Sequence, residues 1–233
     1  MTGLERCYSP AMTEDPGKPL RTYGRIKGRP LRPGRAALMG RPLSGLRLEL
    51  DQAPALVRGR PVFVELGFGG GEHLAAQAQA HPDALVLGAE PFVNGVASAV
   101  RHVQALGLGN VRLHPGDGRE LLAALPDACA DRVFILFPDP WPKTRHHKRR
   151  LISAQLVDEL ARIAKPGAEV RFASDWADYV DWTLERFCAS PAFRWTAESA
   201  ADWRVPPPDH VTTRYESKRL GDCAPVFLRF VRL

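Results

Sequence analysis

Residues Pro61 to Gly71 read P-V-F-V-E-L-G-F-G-G-G, and the fold class turns on this stretch. The valine-rich run ending in Glu65 and Leu66 has the composition of a buried strand. Gly67, Gly69, Gly70 and Gly71 follow as a turn whose backbone can approach a ligand closely. Glu72 to Ala80, E-H-L-A-A-Q-A-Q-A, is strongly helix-forming. A strand, a glycine turn and a helix make the opening unit of a nucleotide-type cofactor site in an α/β fold. The spacing is G-x-G-G-G and not the G-x-G-x-x-G of a pyrophosphate binder, and a purely structural turn is the alternative reading. Glu65 favours a ligand. A carboxylate in front of the turn repels a pyrophosphate and suits a cation carrying an α-amino group and a sulfonium, which describes S-adenosylmethionine.

Working outward, 233 residues suffice for one α/β domain with a sizeable core and an extra arm. The chain is 45% apolar and 25% charged, as in globular proteins. No apolar run reaches the eighteen residues of a membrane span. The opening M-T-G-L-E-R-C-Y-S-P holds an acid and a proline and no apolar segment, so no signal peptide is expected. Cys7, Cys129, Cys188 and Cys223 are scattered without a C-x-x-C pair. That argues against zinc and against a disulfide framework, and suits a reducing cytoplasm. The net charge of +6 permits a polyanionic partner. Its distribution says more.

Residues 1–50 read as a basic, largely irregular arm ahead of a catalytic domain spanning residues 51–233. No acid falls between Asp15 and Glu49, while Lys18, Arg21, Arg25, Lys27, Arg29, Arg32, Arg35, Arg41 and Arg47 all do. Glycine and proline are interspersed, so little regular structure is expected before Ala36. A solvated tail and a phosphate-contacting arm are the two readings. Like charges at this density repel unless a polyanion screens them.

From Val62 strands and helices alternate, and several strands end in acid. The second strand finishes at Glu90, where a carboxylate can accept both ribose hydroxyls of an adenosine moiety. A helix over about Val93 to Leu106 follows. The third strand ends at Asp117, placed to meet the adenine edge, and the fourth runs into Pro138-Asp139-Pro140-Trp141. A helix carrying Leu151, Ile152, Leu156, Val157, Leu160 and Ile163 stops at Lys165-Pro166-Gly167. The fifth strand ends at Asp175, another helix begins near Trp176, and a last strand closes the chain. Ligands of open parallel sheets bind at the carboxyl ends of the strands. One acid there is often a helix cap. Five, at Glu65, Glu90, Asp117, Asp139 and Asp175, describe an acidic cleft in a basic protein.

The densest stretch is F-P-D-P-W-P-K-T-R-H-H-K-R-R, residues 137–150. Its prolines stiffen the backbone and hold Asp139 and Trp141 at the strand edge; a strand end with Trp141 in the core is the bland alternative. Arg145, His146, His147, Lys148, Arg149 and Arg150 read as phosphate or base contacts, since no acid or cysteine accompanies the histidines to hold a metal. Farther on, Thr213, Arg214, Tyr215 and Glu216 combine a hydroxyl, a guanidinium, an aromatic face and a carboxylate. That set suits a flipped-out base, with an ordinary surface loop as the alternative.

Together E-L-G-F-G-G-G, the E-P after the second strand, F-P-D-P-W-P-K-x-R-H-x-K-R-R, S-D-W at 174–176 and T-R-Y-E resemble the bacterial tRNA (guanine-N7-)-methyltransferase family. The likeness covers about Tyr23 to the C-terminus, and the long P-D-P-W-P-K run is its specific part. It implies the seven-stranded, Rossmann-like, doubly wound sheet of class I methyltransferases and use of S-adenosylmethionine. It implies cofactor contacts at Glu65, Glu90, Asp117 and Asp139, with Gly67 and Gly69 in the turn. It also implies substrate contacts at Lys143, Asp175 and Thr213 to Glu216, RNA contacts at 145–150, and a target guanine at position 46 of the tRNA variable loop. The segment from Met1 to about Pro19 lies outside the resemblance. A monomer and a homodimer are both compatible with the sequence.

The chemistry agrees with that implication. N7 of guanine has an in-plane lone pair and no proton, so attack on a methyl group needs no general base. Alignment alone is worth roughly 7–11 kcal/mol, and Asp139 can stabilise positive charge developing on the base. Three other readings compete. An exocyclic-amine methyltransferase is suggested by the likeness of D-P-W to the D-P-P-[YFW] loop of such enzymes. A non-catalytic RNA-binding protein on a methyltransferase fold is disfavoured by the full set of cofactor-side acids. An NAD-dependent dehydrogenase is opposed by G-x-G-G-G with Glu65 in front.

Overall fold

Alternation along the strands decides how the sheet is sandwiched. The computed structural model describes residues 22–24 and 26–233. Helices α1 (Pro33–Leu38), α2 (Arg41–Leu46) and α3 (Ala53–Leu56) precede the sheet. Then follow β1 (Val62–Leu66), α4 (Glu72–Ala80), β2 (Leu85–Ala89), α5 (Val93–Ala105), β3 (Val111–His114), α6 (Gly118–Ala124) and β4 (Ala130–Leu136). The chain continues through α7 (Ala154–Ile163), β5 (Ala164–Ser174), α8 (Ala177–Ala189), β6 (Phe193–Trp195), α9 (Ala201–Arg204) and β7 (Val226–Arg232). The strands form one seven-stranded sheet in the order β3-β2-β1-β4-β5-β7-β6. Strands β1 to β5 pair in parallel, and β7 runs antiparallel between β5 and β6.

Val62, Val64 and Leu66 of β1 point to the face covered by α6, α7 and α8. Phe63 points to the face covered by α4 and α5. Glu65 shares the parity of Phe63 and therefore meets α4, because side chains of a strand alternate between its faces. Every residue of β1 and of β2 is buried, as expected of parallel strands covered on both sides.

Two expectations are corrected. The helix expected to carry Leu151 and Ile152 begins after them because of a cap: Ser153 Oγ accepts from Leu156 N–H (3.2 Å), and α7 starts at Ala154. Regular structure begins before Ala36, since Pro33 stands at the start of α1, where its fixed φ and missing N–H cost nothing. The three-residue β6, F-R-W, is too short to carry an alternation and shows only through its pairing with β7. The later part of the basic stretch is also packed. Leu43 and Leu48 are buried, and Leu48 N–H donates to Leu113 O (2.9 Å) on the edge strand β3. That contact covers an edge otherwise open to another chain. Lys18, Arg21 and Arg25 of the arm lie outside the described residues.

Candidate active site

The five acids do converge at the carboxyl ends of the parallel strands. Glu65 lies within β1, Glu90 follows β2 directly, Asp117 and Asp139 lie three residues beyond β3 and β4, and Asp175 follows β5 directly. Gly67, Gly69 and Gly71 of the turn after β1 adopt φ of 75°, 52° and 80°. That left-handed conformation is one a side chain resists, so the glycines are required by the turn.

Glu90 holds the turn in place. Gly69 N–H donates to its Oε2 and Phe92 N–H to its Oε1, each at 2.8 Å. Burial, reinforced by the charges of Asp139 and Glu65, pushes the Glu90 carboxyl up to about 7 from the ordinary 4.5 despite those two bonds. Glu65 is buried, with Oε2 2.8 Å from His73 Nδ1 at the start of α4. Asp117 is the N-cap of α6 and accepts from Arg119 N–H at 2.9 Å. Arg119 also reaches it through Nε and Nη2, and Thr22 Oγ1–H donates to Oδ2 at 2.6 Å. Burial opposes ionisation of Asp117, but the bonds from Arg119 and Thr22 outweigh it and hold the carboxyl below its usual value. A further donor at this carboxylate, such as an adenine amino group, shares it with those partners.

The described beginning of the arm lies over the same cleft. Thr22 is on Asp117, and a Cβ on Gly24 would stand 3.6 Å from Asp139 Oδ2. Ile26 O accepts from Val93 N–H (3.1 Å), and Arg29 O accepts from Asn94 Nδ2 (3.0 Å).

The loop of Asp139 is strained at both ends: Phe137 and Trp141 have φ of 51° and 44°. Such outliers persist where surroundings over-determine them, and here Arg150 does so. Its Nε donates to Pro140 O (2.9 Å), its Nη2 pairs with Asp178 on α8, and its guanidinium lies over the rings of Tyr179 and Trp182 at 4.8 and 5.0 Å. Arg150 is 5% exposed. The expectation that it meets RNA is therefore corrected: it staples the loop to α8 and faces no solvent. His147 turns the same way, with Nε2 3.3 Å from Asp178 Oδ2. Arg149 is half-buried over Trp141 and Tyr23, at 4.9 and 5.5 Å. Lys143, Arg145 and Lys148 are exposed, and His146 packs edge-on to Trp141. Desolvation and the cations Arg149, Arg145, Lys143 and Lys148 hold the His146 imidazole below its usual value. The six residues 145–150 thus divide into an outward cationic face and an inward clamp.

At the other end of the cleft Asp175 is 4% exposed. Gly221 N–H donates to its Oδ2 (2.9 Å), while Oδ1 is buried without a hydrogen-bond partner. An orphaned buried acceptor is rare and calls for an explanation. The approach of Gly221 is close enough that a Cβ would lie 1.9 Å from Asp175 O, so only glycine serves there. Thr213 and Glu216 bind each other reciprocally, Glu216 N–H to Thr213 Oγ1 at 3.2 Å and Thr213 N–H to Glu216 Oε2 at 3.3 Å. Tyr215 packs near Phe137 at 5.9 Å, and burial together with the charges of Asp175 and Asp139 raises its phenol above the usual value. Arg214 is exposed. The two halves of the site therefore meet around Asp139 and Tyr215.

Sequence reasoning missed His73, Asp209, His210 and Gly221. His73 and His210 have no spacing signature; their roles arise from the contacts the fold gives them, with Glu65 and Glu216 respectively. Among the described residues no group of three or more His, Cys, Asp or Glu side chains could hold a metal ion, and no helix is long and apolar enough to cross a membrane. Cys129, Cys188 and Cys223 are free; Cys7 lies outside the described residues.

The strand order and the acid-tipped cleft define a class I methyltransferase. A variant of the 16S rRNA (adenine(1408)-N(1))-methyltransferase from Catenulisporales acidiphilia, solved with its cosubstrate SAM, shares this fold. It superposes with a TM-score of 0.53 at 23% identity, over 80% of this chain and 92% of that one. A family model described as "Putative methyltransferase" matches residues 59–227. The tRNA (guanine-N(7)-)-methyltransferase of Caulobacter vibrioides is 56% identical over 225 residues, covering 94% of this chain and 98% of that protein. The same-named protein of Rhodospirillum rubrum is 47% identical over 232 residues, covering 95% and 91%. This chain belongs to the tRNA (guanine-N(7)-)-methyltransferase family.

Proposed function

We propose that the protein transfers the methyl group of S-adenosylmethionine to N7 of a guanine in the variable loop of tRNA, in the cytoplasm. The observation that carries this reading is the cluster of strand-end and loop carboxylates in two groups, the buried Glu65 and Glu90 with the exposed Asp139 on one side, and the buried Asp175 with the half-buried Glu216 on the other. The first group fits the donor. Glu90 is raised chiefly by burial and further by the charges of Asp139 and Glu65, and a ligand bearing an ammonium and a sulfonium offsets that repulsion.

S-adenosylmethionine supplies an electrophilic methyl group when bound. Glu65 would meet its α-amino group, Glu90 the ribose hydroxyls and Asp117 the adenine edge, with Gly67 and Gly69 letting the backbone come close. Asp175 and Glu216 would accept the N1 and N2 hydrogens of guanine. That leaves the opposite edge, with N7, turned to the donor. Thr213, Arg214 and Tyr215 would flank the base. Asp139 would stabilise the positive charge as it moves from sulfur to the base. Lys143, Arg145 and Lys148 would take RNA phosphates. We propose further that residues 1–50 act as an arm of the methyltransferase domain and add to that phosphate contact.

Incubation with bulk tRNA and methyl-labelled S-adenosylmethionine should place the label in 7-methylguanosine on nucleoside analysis. Label in an N2-methylated or other exocyclic-amine product would replace this reading by the amine methyltransferase one.

Donor binding should depend on pH through Glu90. Ribose hydroxyls donate to an ionised carboxylate, so affinity is expected to rise with pH and level off above about 7. Below that it falls by up to tenfold per unit. The sign for the ligand-free protein is opposite. With its folded value raised above 4.5, Glu90 favours the folded state most at low pH, and that contribution is lost as pH rises through about 7. Calorimetric titrations across this range check the trend, and Glu90→Gln should flatten it. A flat profile in the unaltered protein would remove Glu90 from the donor site.

A further inference from the structure

Two buried histidines that no motif announces stand between the two halves of the site. His73 Nδ1 is 2.8 Å from Glu65 Oε2, and His210 Nε2 is 2.8 Å from Glu216 Oε2. Their ring centroids are 6.2 Å apart. The side chains are 2% and 6% exposed. Each ring is locked by an aromatic edge, His73 by Phe134 at 4.7 Å and His210 by Phe227 at 4.9 Å.

The pattern of bonds is the same at both carboxylates. Each uses Oε2 for its histidine, and among the described residues Oε1 accepts no hydrogen bond. A carboxylate held by one oxygen is oriented and still has an acceptor for a ligand. Glu216 needs such a hold, because it sits in the long connection between α9 and β7, where regular structure is confined to the turn at Glu216–Lys218. The neighbouring Asp209 pins this connection to the sheet. It accepts from Arg171 Nη1 (2.6 Å) and Arg132 Nη1 (3.3 Å), and its carbonyl accepts from Gln77 Nε2 (3.0 Å). Gln77 lies one turn after His73 on α4, so both face the 209–210 dipeptide.

We infer that His73 and His210 are paired positioning residues, which orient the cofactor-side carboxylate Glu65 and the base-side carboxylate Glu216 from two neighbouring rings. The inference rests on the proposed contacts of Glu65 with the donor and Glu216 with guanine. It adds that the geometry of both is imposed by a histidine N–H and not by the loop or strand alone.

Amide side chains separate that role from simple packing. Gln can present an N–H near the place of imidazole Nε2, and Asn near that of Nδ1. His210→Phe keeps a ring against Phe227 and loses the donor. It is expected to lower kcat/KM for tRNA by about tenfold, the worth of one hydrogen bond to a charged group, with unchanged donor affinity by calorimetry. His210→Gln should stay within about threefold of the parent, on the same reasoning. At the other histidine, His73→Leu should weaken donor binding by about tenfold and His73→Asn should restore it.

If His210→Phe folds poorly in a thermal scan, His210→Gln against His210→Asn decides. The shorter amide should fail where the longer works, and equal activity of the two overturns the inference. Parental kinetics of a folded His210→Phe overturn it as well, provided Glu216→Gln is inactive. A fully active Glu216→Gln would mean instead that the reading of Glu216 itself is wrong.

Discussion

A tRNA carrying 7-deazaguanine at the target nucleotide should accept no methyl group from this protein, while an otherwise identical tRNA with guanine does. Replacing N7 by a carbon removes the in-plane lone pair and leaves the N1–H, N2 and O6 edge intact. The proposed acceptors, Asp175 and Glu216, would therefore bind the analogue as they bind guanine, and the analogue should compete with the natural substrate. Loss of transfer with retained competition assigns the nucleophile to N7. Arginine bidentate to O6 and N7 is the commonest guanine contact, but here it would cover the reacting atom. Selection through the opposite edge fits a site in which the buried Asp175 Oδ1 has no partner. Methylation of the analogue at the same nucleotide would instead mean attack by the exocyclic amine.

Asp139→Asn should reduce methyl transfer by about 10²–10³-fold, the range for removing one preorganised electrostatic stabiliser, with the fold intact. The side chain keeps its size, and the loop keeps its other supports. These are Arg150 on Pro140 O and Asp178, and Tyr215 beside Phe137. What is lost is the charge. A second readout follows, because Asp139 is one of the charges that raise Glu90. In Asp139→Asn the pH dependence of donor binding should shift to lower pH. Near-parental turnover of a folded Asp139→Asn protein would exclude Asp139 from the chemistry, and an unshifted pH profile would separate it from Glu90.

Much of the arrangement follows from local signals. Period and composition mark β1 to β5, the glycines mark the turn after β1, and acids mark the carboxyl ends of the strands. A parallel sheet with helices on both faces leaves those ends as its ligand crevice, so the cleft and its carboxylates could be read before any coordinate. The P-D-P-W-P-K run carried the family likeness because a stiffened loop beside an acid and a basic segment is a rare local combination.

What the chain's order could not show are pairings between distant residues. Arg150 and Arg145 are both arginines in one basic run. Only the arrival of Asp178, Tyr179 and Trp182 on α8 turns the first inward and leaves the second exposed. Asp117 reads as an open strand-end acid until Thr22, 95 positions away, is found on it. Gly221 looks like a loop glycine until the backbone of Asp175 is found where its Cβ would be. Gln77 is 132 positions from the carbonyl it binds beside His210. Local sequence determines backbone preference and alternation, which act over a few residues. Which buried donor meets which acceptor is decided by packing, where a charge or polar group taken out of water must find its partner wherever the fold has brought one.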